Sequence, residues 1–555
     1  MKFSPIFSFA LLMCCLMSVS VQAQQNSSPF TDQFQKLLEK KFDADGPGAA
    51  VLVAKNGEVI FRSSIGKANI ELGVSIEPDH VFRIGSITKQ FTAVAILMLM
   101  EEGKLALDDE LTRFLPDYPT KGKSIDVAQL LTHTSGIPSY TSMPGFLDNY
   151  SRNHFTPEAI IDSFKNEEFD FEPNTEFRYN NSGYVLLGAI IEKISGMSYA
   201  DFIQQRIFDK IGMTQSYYDD HSTIIPKRAS GYEKAGDGYA NASYLDMSLP
   251  YAAGSLLSTV DDLYKWQSAL QADKLVKKET LQQAFTRYKL KNGEEIDYGY
   301  GWFLNKLFGE PVIEHSGGIY GFLAQGVYIP NDNIYVAVLT NCTCVSPNEV
   351  ARMMAAIEMG KYSKRTPKPM SATDLKEYVG VYAFKSEEGK KVTIQVEEDH
   401  LMGQQSGGSP QSLFAYDKDK FFVESSMIVA EFQRDPAGSV LSIKFEMPNG
   451  DVELAERTDE LPAVRQEIDL PPSVLERYVG AYELMPGFIL NISLKDGQLH
   501  AQATGQGAAP IFAESETKFF LKVVDAQLEF IADAEGAFSK LILYQGGQEL
   551  TGNRK

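Results

Sequence analysis

The last third of this 555-residue chain is written twice, and that repeat limits its fold more than any other feature. Leu375-x-x-Tyr378-Val379-Gly380-x-Tyr382 recurs 100 residues later as Leu475-x-x-Tyr478-Val479-Gly480-x-Tyr482. Lys420-Phe421-Phe422 recurs as Lys518-Phe519-Phe520, now 98 residues on. Glu431-Phe432-x-x-Asp435-x-x-Gly438 recurs at the same offset as Glu529-Phe530-x-x-Asp533-x-x-Gly536. Three blocks in one order mean two copies of one structural unit. Between them run short alternating stretches such as Leu441-Ser442-Ile443-Lys444-Phe445, separated by turn residues. Such stretches are half-buried strands, so each copy is expected to close as its own antiparallel β-barrel, residues 370–461 and 470–555.

Upstream lies a different kind of unit, residues 24–365, joined to the repeats through the basic, proline-bearing stretch Lys361-Tyr362-Ser363-Lys364-Arg365-Thr366-Pro367-Lys368-Pro369. Ala49 to Ala54 and Val59 to Phe61 flank Asn56-Gly57, a hairpin signal. A helix is expected from near Ser86 to about Gly103, with Phe91, Ala95 and Leu99 at helical spacing. Gly326 to Ile329 and Ile334 to Leu339 flank a second hairpin turn, and Asn348 to Gly360 reads as a closing helix. Strands at both ends of a helical middle predict one sheet built from both termini of an α/β unit.

The first 23 residues read as an export signal: Lys2, an apolar run from Ile6 to Val21, then Val21-Gln22-Ala23 as a cleavage site. Met13 before Cys14 argues against a lipoprotein, and no later stretch is apolar enough to span a bilayer. The expected mature protein is periplasmic or secreted. Its remaining cysteines, Cys342 and Cys344, read as two buried thiols, because alternate residues on a strand span more than a disulfide allows. The net charge of −21 disfavours nucleic-acid binding. Seven histidines, none at ligand spacing, and the absence of HExxH or CxxC make a zinc hydrolase improbable; no metal or cofactor is expected.

Three short motifs carry chemistry. Ser86-Ile87-Thr88-Lys89 opens the expected buried helix, where i and i+3 share a face and free N–H groups favour developing negative charge. Ser64-x-x-Lys67 and Ser515-x-x-Lys518 match the same pattern but follow a strand and lie in a barrel turn. Tyr179-Asn180-Asn181 precedes an apolar helix; a tyrosine beside a cation can have a lowered pKa and carry protons, and an amide can orient a lysine or a substrate carbonyl. Tyr239-Ala240-Asn241 matches too, among glycines that suggest a solvent loop. His315-Ser316-Gly317-Gly318 begins a strand on which a backbone N–H can face an oxyanion. His133 with Ser135 suggests a triad, yet no GxSxG elbow supports one, and His133 is expected to be structural.

Val81-Phe82-Arg83-Ile84-Gly85-Ser86-Ile87-Thr88-Lys89-Gln90-Phe91-Thr92-Ala93 resembles the signature of the serine β-lactamase and penicillin-binding-protein superfamily. The likeness is to the subgroup holding class C β-lactamases, D-alanyl-D-alanine carboxypeptidases, D-aminopeptidases and esterases. Leu131 to Pro138, Tyr179 to Tyr184 and Ala252 to Thr259 look like further blocks of it, in family order over about residues 40–360. The resemblance implies an antiparallel sheet flanked by helices plus a helical region, followed by two lipocalin-like barrels. It makes Ser86 the acylated nucleophile, with Lys89 and Tyr179 handling its proton. Asn181, His315, Ser316 and Gly317 would contact substrate, and the N–H groups of Ser86 and Gly318 would form the oxyanion hole. A depressed Lys89 pKa would come from burial and from a cationic neighbour such as His315.

One departure matters: His315-Ser316-Gly317 stands where β-lactamases of this subgroup carry Lys-Thr-Gly. A mostly neutral histidine suits a substrate carboxylate less well. The expected activity is an acyl-enzyme serine hydrolase of a D-amino-acid peptide, with β-lactamase, small-ester esterase and penicillin-acylated sensor as alternatives. The partner is a small-molecule or peptide substrate, and the sequence does not specify an oligomeric state. The barrels are expected to be spacers, or to cover the cleft with a loop.

Overall fold

The computed structural model describes every residue except 1–27, 221, 237, 363–364, 424–425, 463–466, 486, 505–506, 534 and 547. The export-signal reading therefore lies outside the described residues. Among those residues, no helix is long and apolar enough to cross a membrane.

Six antiparallel strands form the central sheet, in the order Phe303–Leu307, Glu310–Ile319, Phe322–Ile329, Ile334–Thr340, Ala49–Lys55, Glu58–Ile65. Both ends of the unit thus meet in one sheet, as Val51 pairs with Val338. The Asn56-Gly57 turn has positive φ at both residues, which matches the twist of the strands it joins. Ala49–Lys55 and Ile334–Thr340 are nearly continuous apolar runs because both faces of the sheet are covered. Val51, Val53, Val336 and Val338 pack under the helices Thr31–Lys41 and Pro347–Glu358. Ala50, Leu52, Ala337 and Leu339 face the helical region on the other side.

At the centre of that region runs the helix Thr88–Glu101, buried from Thr88 to Leu99 and preceded by a single tight turn, Gly85–Ile87. A helix that is apolar all round belongs in the interior. Its burial fixes the one face it leaves open, the N-terminal turn carrying Ser86.

Each repeat closes as an eight-stranded antiparallel barrel, with strands in sequence order and the last pairing with the first. The repeated tyrosines are equivalent. Tyr382 donates to the Tyr378 carbonyl at 2.7 Å, and Tyr482 to that of Tyr478 at 3.0 Å. Tyr378, Phe421, Phe432 and Ile443 fill the first barrel, and Tyr478, Phe519, Phe530 and Leu541 the second. The first barrel docks behind the sheet, where the Phe308 N–H donates to Pro448 at 2.7 Å and Met427 joins the helix-covered core. No described barrel residue lines the cleft beside Ser86, so the expectation of a covering barrel loop is corrected.

The two cysteines differ from expectation as well. The strand ends at Thr340, so Cys342 and Cys344 lie in a turn rather than at alternate strand positions. Their Cα atoms are 5.2 Å apart, and they form a disulfide.

Candidate active site

The turn Gly85–Ile87 presents Ser86 at the mouth of a cleft of about 390 Å³, and two glycines let it do so. Gly85 has φ +48°, and a Cβ there would lie 2.8 Å from the Gly318 nitrogen. A Cβ on Gly317 would fall 1.9 Å from the Ile84 carbonyl oxygen. The strand Glu310–Ile319 therefore rides directly on the serine turn, and Gly318 and Ser86 both line the cleft. Ser316 is exposed but stands outside that lining, and Gly317 is buried against the turn.

Lys89, one turn along, is fully buried. Its ammonium position has three acceptors: Ser86 Oγ at 3.1 Å, Asn181 Oδ1 at 2.8 Å and the Ala253 carbonyl at 2.9 Å. The rings of Tyr179 and Tyr184 flank it at 4.8 and 5.4 Å. Burial drives its pKa well below the usual lysine value. The expected cationic neighbour is not the cause: His315 is itself buried, and its pKa falls to about 3, through burial first and then through Lys89.

Tyr179-Asn180-Asn181 sends three side chains in three directions. Asn180 caps the helix Asn181–Ser195 by accepting from the Gly183 N–H at 2.7 Å, worth about 1 kcal/mol. Asn181 holds Lys89 with its oxygen and donates its amide N–H to Thr141 Oγ1 at 2.9 Å, which fixes the amide's orientation. The Tyr179 hydroxyl is shut off from solvent and faces Ser86 without completing a hydrogen bond among the described residues. Burial raises its pKa and the Ser86 hydroxyl offsets only part, so the expectation of an acidified tyrosine is corrected.

His315 is a second correction. Expected to contact substrate, it is 1% exposed. Its Nε2 pairs with the Tyr298 hydroxyl at 3.0 Å and its Nδ1 with the Ser316 carbonyl oxygen at 2.6 Å. Its neutral ring packs behind Tyr179 rather than facing the cleft. His133 is structural: its Nδ1 accepts from the Asn180 N–H at 3.0 Å, and its ring packs at a tilt against that of Tyr179, centroids 4.4 Å apart. It thereby sets where Tyr179 and Asn180 stand. The decoy serines are spent elsewhere. Ser64 donates to the Ile76 carbonyl at 2.7 Å, and Ser515 accepts from the Lys518 N–H at 3.0 Å.

Sequence reasoning did not find Thr141, Tyr298 or the Ala253 carbonyl. Thr141 lies 40 residues from Asn181, and its Ser139-Tyr140-Thr141 turn carries no catalytic motif. Ala253 belongs to a block that resembled the family, yet its contribution is a backbone atom, on which residue type is silent.

Fold and site together define a hydrolase-type scaffold with a serine on the turn that opens a buried helix and a buried lysine one turn along. A family model described as Beta-lactamase matches residues 32–356, and the chain belongs to that family. A model for a domain of unknown function, DUF3471, matches 364–461 and again 464–554, one copy on each barrel. Penicillin-binding protein 4* of Bacillus subtilis is 27% identical over 543 residues, covering 95% of this chain and 98% of its own length. D-aminopeptidase of Gluconobacter oxydans is 27% identical over 341 residues, 59% of this chain and 62% of that protein. The D-amino acid amidase of Ochrobactrum anthropi SV3, solved with D-phenylalanine, is 26% identical with a TM-score of 0.54, over 60% of this chain and all of that one.

Proposed function

We propose that the chain is an exported serine hydrolase that cleaves an amide next to a D-amino acid through an acyl-enzyme on Ser86. One observation carries this reading: Lys89 is buried, and two of its three hydrogen-bonding positions are committed to the fixed acceptors Asn181 Oδ1 and Ala253 O. A neutral amine has two protons and one lone pair. With both protons held by those acceptors, the lone pair points at the Ser86 hydroxyl.

The steps follow. Lys89 takes the Ser86 proton as Oγ bonds to the substrate carbonyl carbon. The tetrahedral oxygen receives the N–H groups of Ser86 and Gly318. Tyr179, a neutral phenol beside Ser86, donates its proton to the leaving nitrogen as the C–N bond breaks and recovers one from Lys89. Water then attacks the ester carbon as Lys89 takes its proton, and the bond from that carbon to Ser86 Oγ breaks as Lys89 returns the proton to Oγ, releasing the acid. The names of the D-aminopeptidase and D-amino acid amidase relatives support a D-amino-acid acyl group. Efficient β-lactam hydrolysis is the second reading. It is disfavoured because the buried, neutral His315 offers no cation to a substrate carboxylate.

The test compares the parent chain with Ser86→Ala on D-leucine 4-nitroanilide, its L enantiomer, a 4-nitrophenyl ester and a chromogenic cephalosporin. Turnover of the D-anilide that Ser86→Ala abolishes is the expected result. Dominant cephalosporin turnover makes the chain a β-lactamase instead. A stable adduct without turnover makes it a sensor.

A further inference from the structure

The cleft beside Ser86 is walled mainly by apolar groups, Leu147, Leu245, Leu249, Pro250 and Leu323 among them. Of the sixteen residues that line it, one carries a charged side chain: Glu233. No lysine or arginine is among them, and Lys89 lies buried behind Ser86. Glu233 stands on the hairpin of Tyr232–Ala235 and Gly238–Asn241, paired with Ala240. Among the described residues no cation pairs with it.

The hairpin is held rigidly. The Tyr232 N–H donates to the Asn341 carbonyl at 2.9 Å, and the Thr343 N–H returns to the Tyr232 carbonyl at 3.4 Å. Asn341 is fully buried and donates its amide to the Lys67 and Ser230 carbonyls, both at 2.9 Å. Thr343 also lines the cleft, and the Cys342–Cys344 disulfide brackets it. A second carboxylate stands close by. Burial raises the Tyr320 phenol, and Asp148 and Glu233 both add to that rise. Tyr320 is itself a lining residue, so two negative charges bear on that end of the cleft.

A carboxylate in the wall of an apolar cleft, with a second negative charge near it, is poorly screened and biases which ligand ends can enter. We propose that Glu233 selects substrates presenting an ammonium group at this end of the cleft and rejects those presenting a carboxylate. The inference rests on the serine-hydrolase reading and narrows it to amine-bearing substrates, such as amino-acid amides and peptides with a free amino end.

The experiment uses three 4-nitroanilides of D-leucine whose amine is free, acetylated or succinylated, so that the same position carries a positive, neutral or negative charge. The read-out is the ratio of kcat/KM for the free amine to that for the succinyl compound. Glu233→Gln should lower that ratio by about fivefold, the scale of one partly exposed ion pair of about 1 kcal/mol. Glu233→Lys should lower it further and favour the succinyl compound. A ratio within twofold of the parent in both variants overturns the assignment. Hydrolysis of none of the three by the parent chain overturns the serine-hydrolase reading, and this inference with it.

Discussion

Gly317 and Gly318 are neighbours, yet an added methyl group should do opposite things at the two positions. At Gly317 the new Cβ would sit 1.9 Å from the Ile84 carbonyl oxygen, 2.9 Å from its carbon and 3.3 Å from the Ser86 nitrogen. Real Cβ contacts stay beyond 3.0 Å, and the obstacle is backbone, which has no rotamer to move. Strand and serine turn must therefore part by about 1.1 Å, measured against that limit. A displacement of ~1 Å between reacting groups costs on the order of 100-fold in rate. The strain should also lower stability by ~1–3 kcal/mol, as overpacking does elsewhere. At Gly318 the nearest atom to the new Cβ is the flexible Leu323 Cδ2 at 3.5 Å, an ordinary contact. Gly317→Ala should thus lose about 100-fold in kcat/KM on D-leucine 4-nitroanilide with a reduced Tm, while Gly318→Ala keeps its Tm. A Gly317→Ala enzyme within threefold of the parent at unchanged Tm would refute the claim that close strand approach builds this site.

Further outcomes follow from the buried bases. Activity should rise with pH along a single ionisation well below the usual lysine range, because a protonated Lys89 has no lone pair for Ser86; Lys89→Arg, which cannot deprotonate, should remove that limb together with the activity. His315 is depressed to about 3 in the folded chain against 6.5 unfolded, so the unfolded state binds the extra proton between those values. Its contribution to stability is complete above pH 6.5 and is lost as pH falls toward about 3; Tm should drop from pH 7.5 to 5, and less steeply in His315→Gln. An equal drop in both proteins would contradict this. Reducing Cys342–Cys344 should raise KM more than it lowers kcat, because the pair brackets the cleft residue Thr343 and touches no reacting atom; steady-state kinetics with and without reductant read this directly.

Local signals carried the architecture. The Asn56-Gly57 turn, the doubly buried strands and the repeated Leu375 to Tyr382 pattern each specify their element through contacts close in sequence. The helix position of Ser86 and Lys89 was legible for the same reason. What stayed hidden depends on distant packing. His315 reads as a substrate ligand until Tyr298 and the Ser316 carbonyl take its ring nitrogens, and Tyr179 reads as acidified until burial outweighs every neighbour. Cys342 and Cys344 read as alternate strand residues, whereas the strand ends at Thr340 and the turn beyond it brings their Cα atoms within 5.2 Å. Glu233 lies in a hairpin with no motif and gains meaning only from the apolar walls that fold around it.

The most direct test of the account is acid-quenched mass spectrometry of the enzyme turning over D-leucine 4-nitroanilide. The account predicts a transient D-leucyl adduct on the peptide bearing Ser86. That adduct should be absent in Ser86→Ala and strongly slowed in forming when Lys89 is replaced by methionine. Turnover that survives in Ser86→Ala, or an adduct mapped to any other residue, would contradict the assignment of Ser86 as the nucleophile.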